Sequence, residues 1–460
     1  MSKNIIIRAG MAPYDNYEPT QIIVNNSIGG NVGNLVYQYS VFRTLMTEGT
    51  TITPDHYDFN PKYADEINEK YDAYIIPLAD AFREDFVPSL RKYTKLIKKL
   101  KIPVVVIGVG LRAPFEPKLN EGFSFDEDVK AFVSAVLEKS SILGLRGQIT
   151  SDYLSRLGFR EGTDHTVIGC PSMYAYGREL KIRETNITPN SMVSVNSSRL
   201  SPKNVLDFID RSMNQFPNHY FIPQWMKEMV MTYVGAPSVS NAKDSYPNRM
   251  SHPLYLEDRV RYPLNATGWF DFLKQADLSF GARLHGNIAA VLAGTPSILI
   301  PKDARMRELA EYHNLTHIMA NEITDQTNIM DLVETLDFQS VTKNQGKNFD
   351  HYIDFLNKNN LDHIYKETLT PSSVPLDDKM DQSKVRPPIG TITGCTKEEM
   401  VQRWESYYPK VNAKEEAKAE QTKKKLNAKI SEKDKIIKKQ RGTLNRKSVK
   451  LALKVADIVK

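Results

Sequence analysis

Apolar positions along this chain follow two patterns that alternate: short runs of four to six residues, and longer segments in which they recur at helical spacing. The clearest switch between them lies at residues 278–296. Leu278 and Phe280 sit two apart, as in a short buried strand, and Ile288, Ala289, Leu292 and Ala293 then follow at helical intervals until Gly294 and Pro296 stop the helix. Arg283 and His285 fall where the strand gives way to the helix, which is the ligand edge of an open α/β sheet.

The same alternation runs through both halves. In the first, strands are expected at 21–25, 73–77, 102–110, 141–145 and 166–169, with helices at 34–45, 86–100, 126–139 and 148–157. The polar run 178–189 connects the halves. In the second, strands at 192–195, 220–222, 278–280 and 297–300 alternate with helices at 205–213, 227–233, 269–275, 305–312, 329–336 and 349–357. Continuous apolar strands between helices indicate parallel sheets covered on both faces. The pattern therefore predicts an α/β protein of two Rossmann-like domains, residues 1–185 and 186–364. A crossing segment with a helix (365–410) and a basic, partly helical tail (411–460) follow them. Residues 234–262 form a long loop region, a length that points to function and, with Gln224 and Trp225, to acceptor contacts.

Composition sharpens this picture in three ways. At 460 residues the chain has room for several domains, and no apolar run approaches the length of a membrane span. The apolar segment at Ile5-Ile6-Ile7 is too short for an export signal, so a cytoplasmic location is expected. Only Cys170 and Cys395 are present, too few for a disulfide framework or thiolate metal site. The net charge of +6 is unevenly spread: residues 411–460 carry 16 Lys and Arg against 6 Asp and Glu, leaving the body at −4. A mildly acidic body excludes a nucleic-acid reading from charge alone. The terminal stretch from Val449 onward is basic and amphipathic, suited to the surface of an anionic membrane leaflet.

Several candidate residues sit at predicted strand ends. Arg146 follows the strand 141–145 as Arg283 follows 278–280, Lys302 follows 297–300, and His285 shares the turn with Arg283. Arginine binds carboxylate and phosphate bidentately and cannot lose its charge, while histidine titrates near neutrality. The set suits a small, highly charged anion, with no metal site and no cofactor. A Gly-rich turn, Gly29-Gly30-Asn31-Val32-Gly33, precedes the helix at Asn34 and is read as a place where backbone approaches an anion.

The segment Arg283-Leu284-His285-Gly286 with Ile288-Ala289-Ala290-Val291-Leu292-Ala293-Gly294-Thr295-Pro296, together with Gly30-Asn31-Val32-Gly33, resembles the polysaccharide pyruvyltransferase family over residues 20–320. The resemblance implies a GT-B-like fold, two Rossmann-like domains facing across a cleft. It also implies transfer of the enolpyruvyl unit of phosphoenolpyruvate to a sugar, or to a lipid-linked oligosaccharide, as a pyruvate ketal. By position, Arg283 and Arg146 would hold the donor's carboxylate and phosphate, with Leu284 in the pocket wall. Lys302 would add a phosphate contact, and His285 would be the general acid. Asn31, Gly33 and Asn34 fall in the family's Gly-Asn-x-Gly-Asp loop, but Asn34 stands where the acid usually does, so the base that activates the acceptor is not identified. Two other readings remain at this point: a GT-B glycosyltransferase using a nucleotide sugar, and a non-catalytic assembly protein recruited by its tail.

Overall fold

The computed structural model describes residues 3–239 and 245–459, so part of the 234–262 loop lies outside the described residues. It divides into two compact units, Met1–Met400 and Val401–Lys460.

The first unit holds ten strands among the described residues: β1 (Lys3–Ile7), β2 (Thr50–Pro54), β3 (Ala73–Pro77), β4 (Val104–Ile107), β5 (Leu143–Leu145), β6 (His165–Val167), β7 (Val193–Asn196), β8 (His219–Phe221), β9 (Leu278–Gly281) and β10 (Ser297–Leu299). Every pairing between them is parallel. One sheet runs β2-β1-β3-β4, and the β5-β6 pair continues it through a parallel bridge from Val109 to Leu145. The other runs β10-β9-β7-β8. Read from its opposite edge, the second sheet repeats the order of the first, with β7 in the place of β1 and β9 in the place of β3. This is the architecture of two Rossmann-like domains, and both sheets reverse their winding beside the strand that opens them. Ligands bind outside the carboxyl ends of strands at such reversals.

Side-chain alternation explains why these runs become covered sheets. Ile5, Ile7, Ile75, Val105 and Ile107 enter one hydrophobic cluster, whereas Ile6, Tyr74, Ile76, Val104 and Val106 enter another on the opposite face. In the second sheet one face is apolar and the other is mostly polar, with Leu299 on it joining the first cluster. Val193, Val195, Leu278, Phe280 and Ile298 pack into a third cluster. The alternate positions Ser194, Asn196, Ser279 and Ser297 are buried polar residues.

Four expectations are corrected. Residues 21–25 are not a strand but part of the helix Pro19–Asn25, which has Pro at its first turn and a left-handed Asn26 at its end. The first strand is instead β1, the Ile-rich segment near the N-terminus. The helix Ser340–Lys358, expected to close the second half, packs on the first: Gln345 Nε2 donates to the carbonyls of Met173 and Gly177 at 2.9 Å, and Asn359 Oδ1 accepts from Ser141 N–H at 3.1 Å. The crossing segment contains a helix, Pro375–Gln382, whose Asp377 pairs with Arg43 at 2.6 Å, while Asn265 of the other half bonds the Arg386 carbonyl at 2.8 Å. The helix expected to end within 365–410 runs from Lys397 to Leu444 with Pro409 inside it, because the Ala, Lys and Glu that follow favour helix. No residue of that helix is buried, and Lys447–Val459 forms the last helix.

Candidate active site

A large cleft of about 1090 Å³ is lined by residues from both sheets of the first unit. Its walls follow from topology. Arg8 leaves β1 and Leu78 to Ala81 leave β3; Ser198 follows β7, and Ala282 to His285 follow β9. Arg112, Arg146, Trp225 and Lys302 come from the carboxyl ends of β4, β5, β8 and β10. Arg146, Arg283, Leu284, His285, Lys302, Asn31 and Asn34 therefore line one space. Arg146 and Arg283 are not topologically equivalent, contrary to the sequence reading: β9 occupies the place of β3, and β5 has no counterpart in the second sheet.

The turn that carries Arg283 is locked from beneath. Gly281 adopts φ +145°, and a Cβ there would meet the Asn196 carbonyl oxygen at 1.7 Å, so no other residue fits. Asn196 Oδ1 accepts the Arg283 backbone N–H at 2.8 Å. Asn287 Nδ2 donates to the carbonyls of Gly281 and Arg283 at 3.0 Å, and Ser297 Oγ donates to Asn287 Oδ1 at 2.9 Å. Asn196 and Ser297, two of the buried polar residues on that face of the second sheet, serve this lock. Arg283 is the residue before the helix Leu284–Leu292, so Leu284, His285 and Gly286 form a first turn whose N–H groups have no intrahelical acceptor.

The cationic side chains are held but not saturated. Arg146 is buried, its Nε donates to the Gly108 carbonyl at 2.9 Å, and its guanidinium lies 5.1 Å from the Tyr37 ring centre. Its Nη2 is buried without a hydrogen-bond partner, as is Nη2 of Arg283, whose guanidinium stands 5.0 Å from the Trp225 ring. Gln224 Nε2 is a third such donor in the cleft wall. Lys302 Nζ bonds Ser201 Oγ at 3.1 Å. Burial first, then the cations of Arg283, Arg305 and Arg112 against the opposing Asp303, lower its amine to about 7.

Arg305, which the sequence reading missed, is tied to Asp80 at 3.0 Å and Asp303 at 3.3 Å. Burial would raise the Asp80 carboxyl, but Arg305, Arg83, Arg146 and Arg112 outweigh it and hold it at about 2, so it is ionised and a weak base. Glu308 was also missed. Its carboxylate accepts from Thr150 N–H and Oγ1, both at 2.9 Å, and burial pushes it up to about 7. Asp80 and Thr150, the partners that lie on other elements, could not be foreseen from the segment that carries Arg305 and Glu308.

His285 sits between the halves. A Cβ on Gly33 would lie 2.8 Å from its Nδ1, Tyr37 packs edge-on with ring centres 6.1 Å apart, and Cys170 Sγ is 3.8 Å from its Nε2. Burial, with the charges of Arg146 and Arg305, holds the imidazole well below its usual range.

The Gly-rich turn differs from an anion cradle. Its N–H groups are already used: Gly30 on Asn26 Oδ1, Asn31 on Ile28, Val32 on Gln224, Gly33 on Asn31 Oδ1 and Asn34 on Asn31. Val32 N–H to Gln224 and Met226 N–H to the Gly30 carbonyl join this turn to the second half like a short strand pair. Asn34 Nδ2 donates to the Ile28 carbonyl at 2.9 Å, which an aspartate could not do. The turn thus frames the cleft. Among the described residues no three His, Cys, Asp or Glu side chains gather as a metal site would require.

Comparison with protein families matches residues 31–303 to polysaccharide pyruvyl transferase. The chain belongs to that family. Family membership makes it a transferase of polysaccharide biosynthesis, and the matched segment runs from Asn31 in the Gly-rich turn to Asp303, just beyond Lys302. No curated protein matches the sequence. Among solved structures it is similar to UDP-GlcNAc 2-epimerase of Methanocaldococcus jannaschii, at 15% identity and TM-score 0.41 over 78% of this chain and 99% of that one. It is also similar to the Neisseria meningitidis UDP-GlcNAc 2-epimerase, at 11% identity and TM-score 0.40 over 78% and 100%. Acinetobacter baumannii MurG follows at 11% identity and TM-score 0.32 over 77% and 99%.

Proposed function

We propose that this pyruvyl transferase takes phosphoenolpyruvate as donor and forms a pyruvate ketal on a sugar of a cell-surface polysaccharide or its lipid-linked precursor, releasing phosphate in the cytoplasm. The observation that carries this reading is the pair of buried, unpartnered guanidinium nitrogens of Arg146 and Arg283 in the cleft that holds His285. Two forked cations from two sheets match a carboxylate and a phosphate on one small molecule.

Protonation of the donor's methylene carbon by His285 makes an oxocarbenium-like centre. A sugar hydroxyl adds there and loses its proton; a second hydroxyl of the same sugar then displaces phosphate and closes the ring. Arg146, Arg283 and Lys302 stabilise charge gathering on the departing phosphate. In the protein alone burial first, and then the cations of Arg146 and Arg305, hold the His285 imidazole well below its ordinary range. A trianion placed among those cations cancels their field and lets the imidazole take up the proton it then delivers.

The test is incubation of the full chain with phosphoenolpyruvate and a panel of free and lipid-linked sugars, following phosphate, beside a parallel panel of nucleotide sugars, following free nucleotide. Acceptor-dependent phosphate release is expected. Nucleotide release without consumption of phosphoenolpyruvate would overturn the reading in favour of a glycosyltransferase.

A further inference from the structure

We propose that the C-terminal helix Lys447–Val459 binds the surface of an anionic lipid membrane, with its apolar face entering the leaflet. The inference rests on no part of the catalytic reading.

The first observation is a helix with two unlike faces. Lys447, Lys450, Lys454 and Asp457 are spaced three and four apart and share one side. Leu451, Leu453, Val455 and Ile458 occupy the remainder and are 66%, 51%, 54% and 82% exposed. Exposed apolar residues this closely grouped call for a cover. The second observation is charge: residues 435–458 contain eight Lys and Arg and a single acid, Asp457. A cation-rich face beside an apolar one matches lipid headgroups above acyl chains. At about 1.5 Å per residue the helix is too short to cross the ~30 Å hydrocarbon core. Among the described residues no helix is long and apolar enough to do so. It lies on the membrane rather than through it.

Two other occupants fit less well. A second copy of the chain would pair through a heptad seam, but the candidate seam in the preceding helix alternates Leu426, Ile430, Ile437 and Leu444 with Lys433 and Gln440. That half-polar seam would set like charges together. Nucleic acid would take the lysines and leave the apolar face uncovered.

The test is co-sedimentation of the full chain with vesicles of equimolar phosphatidylglycerol and phosphatidylcholine, and with vesicles of phosphatidylcholine alone. Binding to the mixed vesicles is expected, weaker by about tenfold or more on the neutral ones and in high salt. Val455→Asp with Ile458→Asp should abolish it, whereas Val455→Leu with Ile458→Leu should retain it. Lys450→Glu with Lys454→Glu should weaken it by about tenfold or more. Phosphate release with a soluble acceptor should be unchanged in all three. Failure to sediment, sedimentation insensitive to the aspartate pair, tighter binding to an oligonucleotide, or a fall in solution mass on introducing the aspartates would each overturn the proposal.

Discussion

Gly33 and His285 face each other across the two halves so closely that a Cβ on Gly33 would sit 2.8 Å from the imidazole Nδ1. The imidazole therefore owes its position to the first half although its chain belongs to the second. Gly33→Ala should push the ring aside and lower turnover by about a hundredfold, the usual cost of misplacing a reacting group by an ångström or so. Steady-state kinetics check this, with near-normal turnover contradicting it. Stability should fall as well, because the added methyl would also meet the His285 Cβ at 2.9 Å, which the backbone holds in place.

Donor binding should draw a proton onto His285. Near pH 6 Lys302 is already charged, so uptake beyond the donor's own titration reports the imidazole, whose affinity for protons the bound trianion raises. Calorimetric titration in buffers of different ionisation enthalpy should give an uptake that disappears in His285→Ala. Equal uptake in the variant would assign the proton elsewhere.

Lys302 predicts a pH dependence of its own. Its amine, lowered to about 7, is charged below that pH and neutral above it, so a phosphate contact is present in acid and lost as pH rises. The donor KM should therefore increase above neutrality. Lys302→Arg keeps its charge throughout, and its KM should be flat across the same range; a parallel rise in both proteins would contradict this assignment.

Asn34 uses its amide as a donor to the Ile28 carbonyl. Asn34→Asp restores the acid of the family's usual loop but sets a carboxylate against a carbonyl. It should cost roughly 1–2 kcal/mol in denaturant unfolding. No gain in turnover should follow. A faster enzyme would show that the acid at this position can act as the missing base.

His313 accepts the Cys170 N–H at 2.8 Å, and burial holds its imidazole at about 3 against an ordinary 6.5. Below pH 6.5 the unfolded chain takes up a proton that the folded chain refuses, so stability falls as pH falls. The loss between pH 7 and 5 should be roughly 2 kcal/mol. His313→Gln, which can still accept the bond, should remove that part of the slope in urea unfolding at the two pH values.

The strand, turn and helix around Arg283 were legible because both periods, two and then 3.6, are set by local burial, and Gly294 punctuates the end. Arg146, Lys302 and His285 could be placed at strand ends for the same reason. The lock beneath Arg283 was not legible. Asn196 lies far from Asn287 and Ser297 in sequence, and all three look like interruptions of apolar runs until the fold joins them. Pro19–Asn25 was misread because three consecutive apolar residues suit a strand or a buried helical turn equally. Nothing local tells that Ser340–Lys358 leaves the second sheet for the first, since its apolar stripe fits either surface.

The central claim is that Arg146 and Arg283 jointly hold one molecule of phosphoenolpyruvate. Titration of the full chain with that compound, alongside Arg146→Met and Arg283→Met, tests it without knowledge of the acceptor. Each variant keeps the packed stem and loses the fork, so each should bind roughly a hundredfold more weakly. Affinity unchanged in either variant, or no binding by the unaltered protein, would contradict the account.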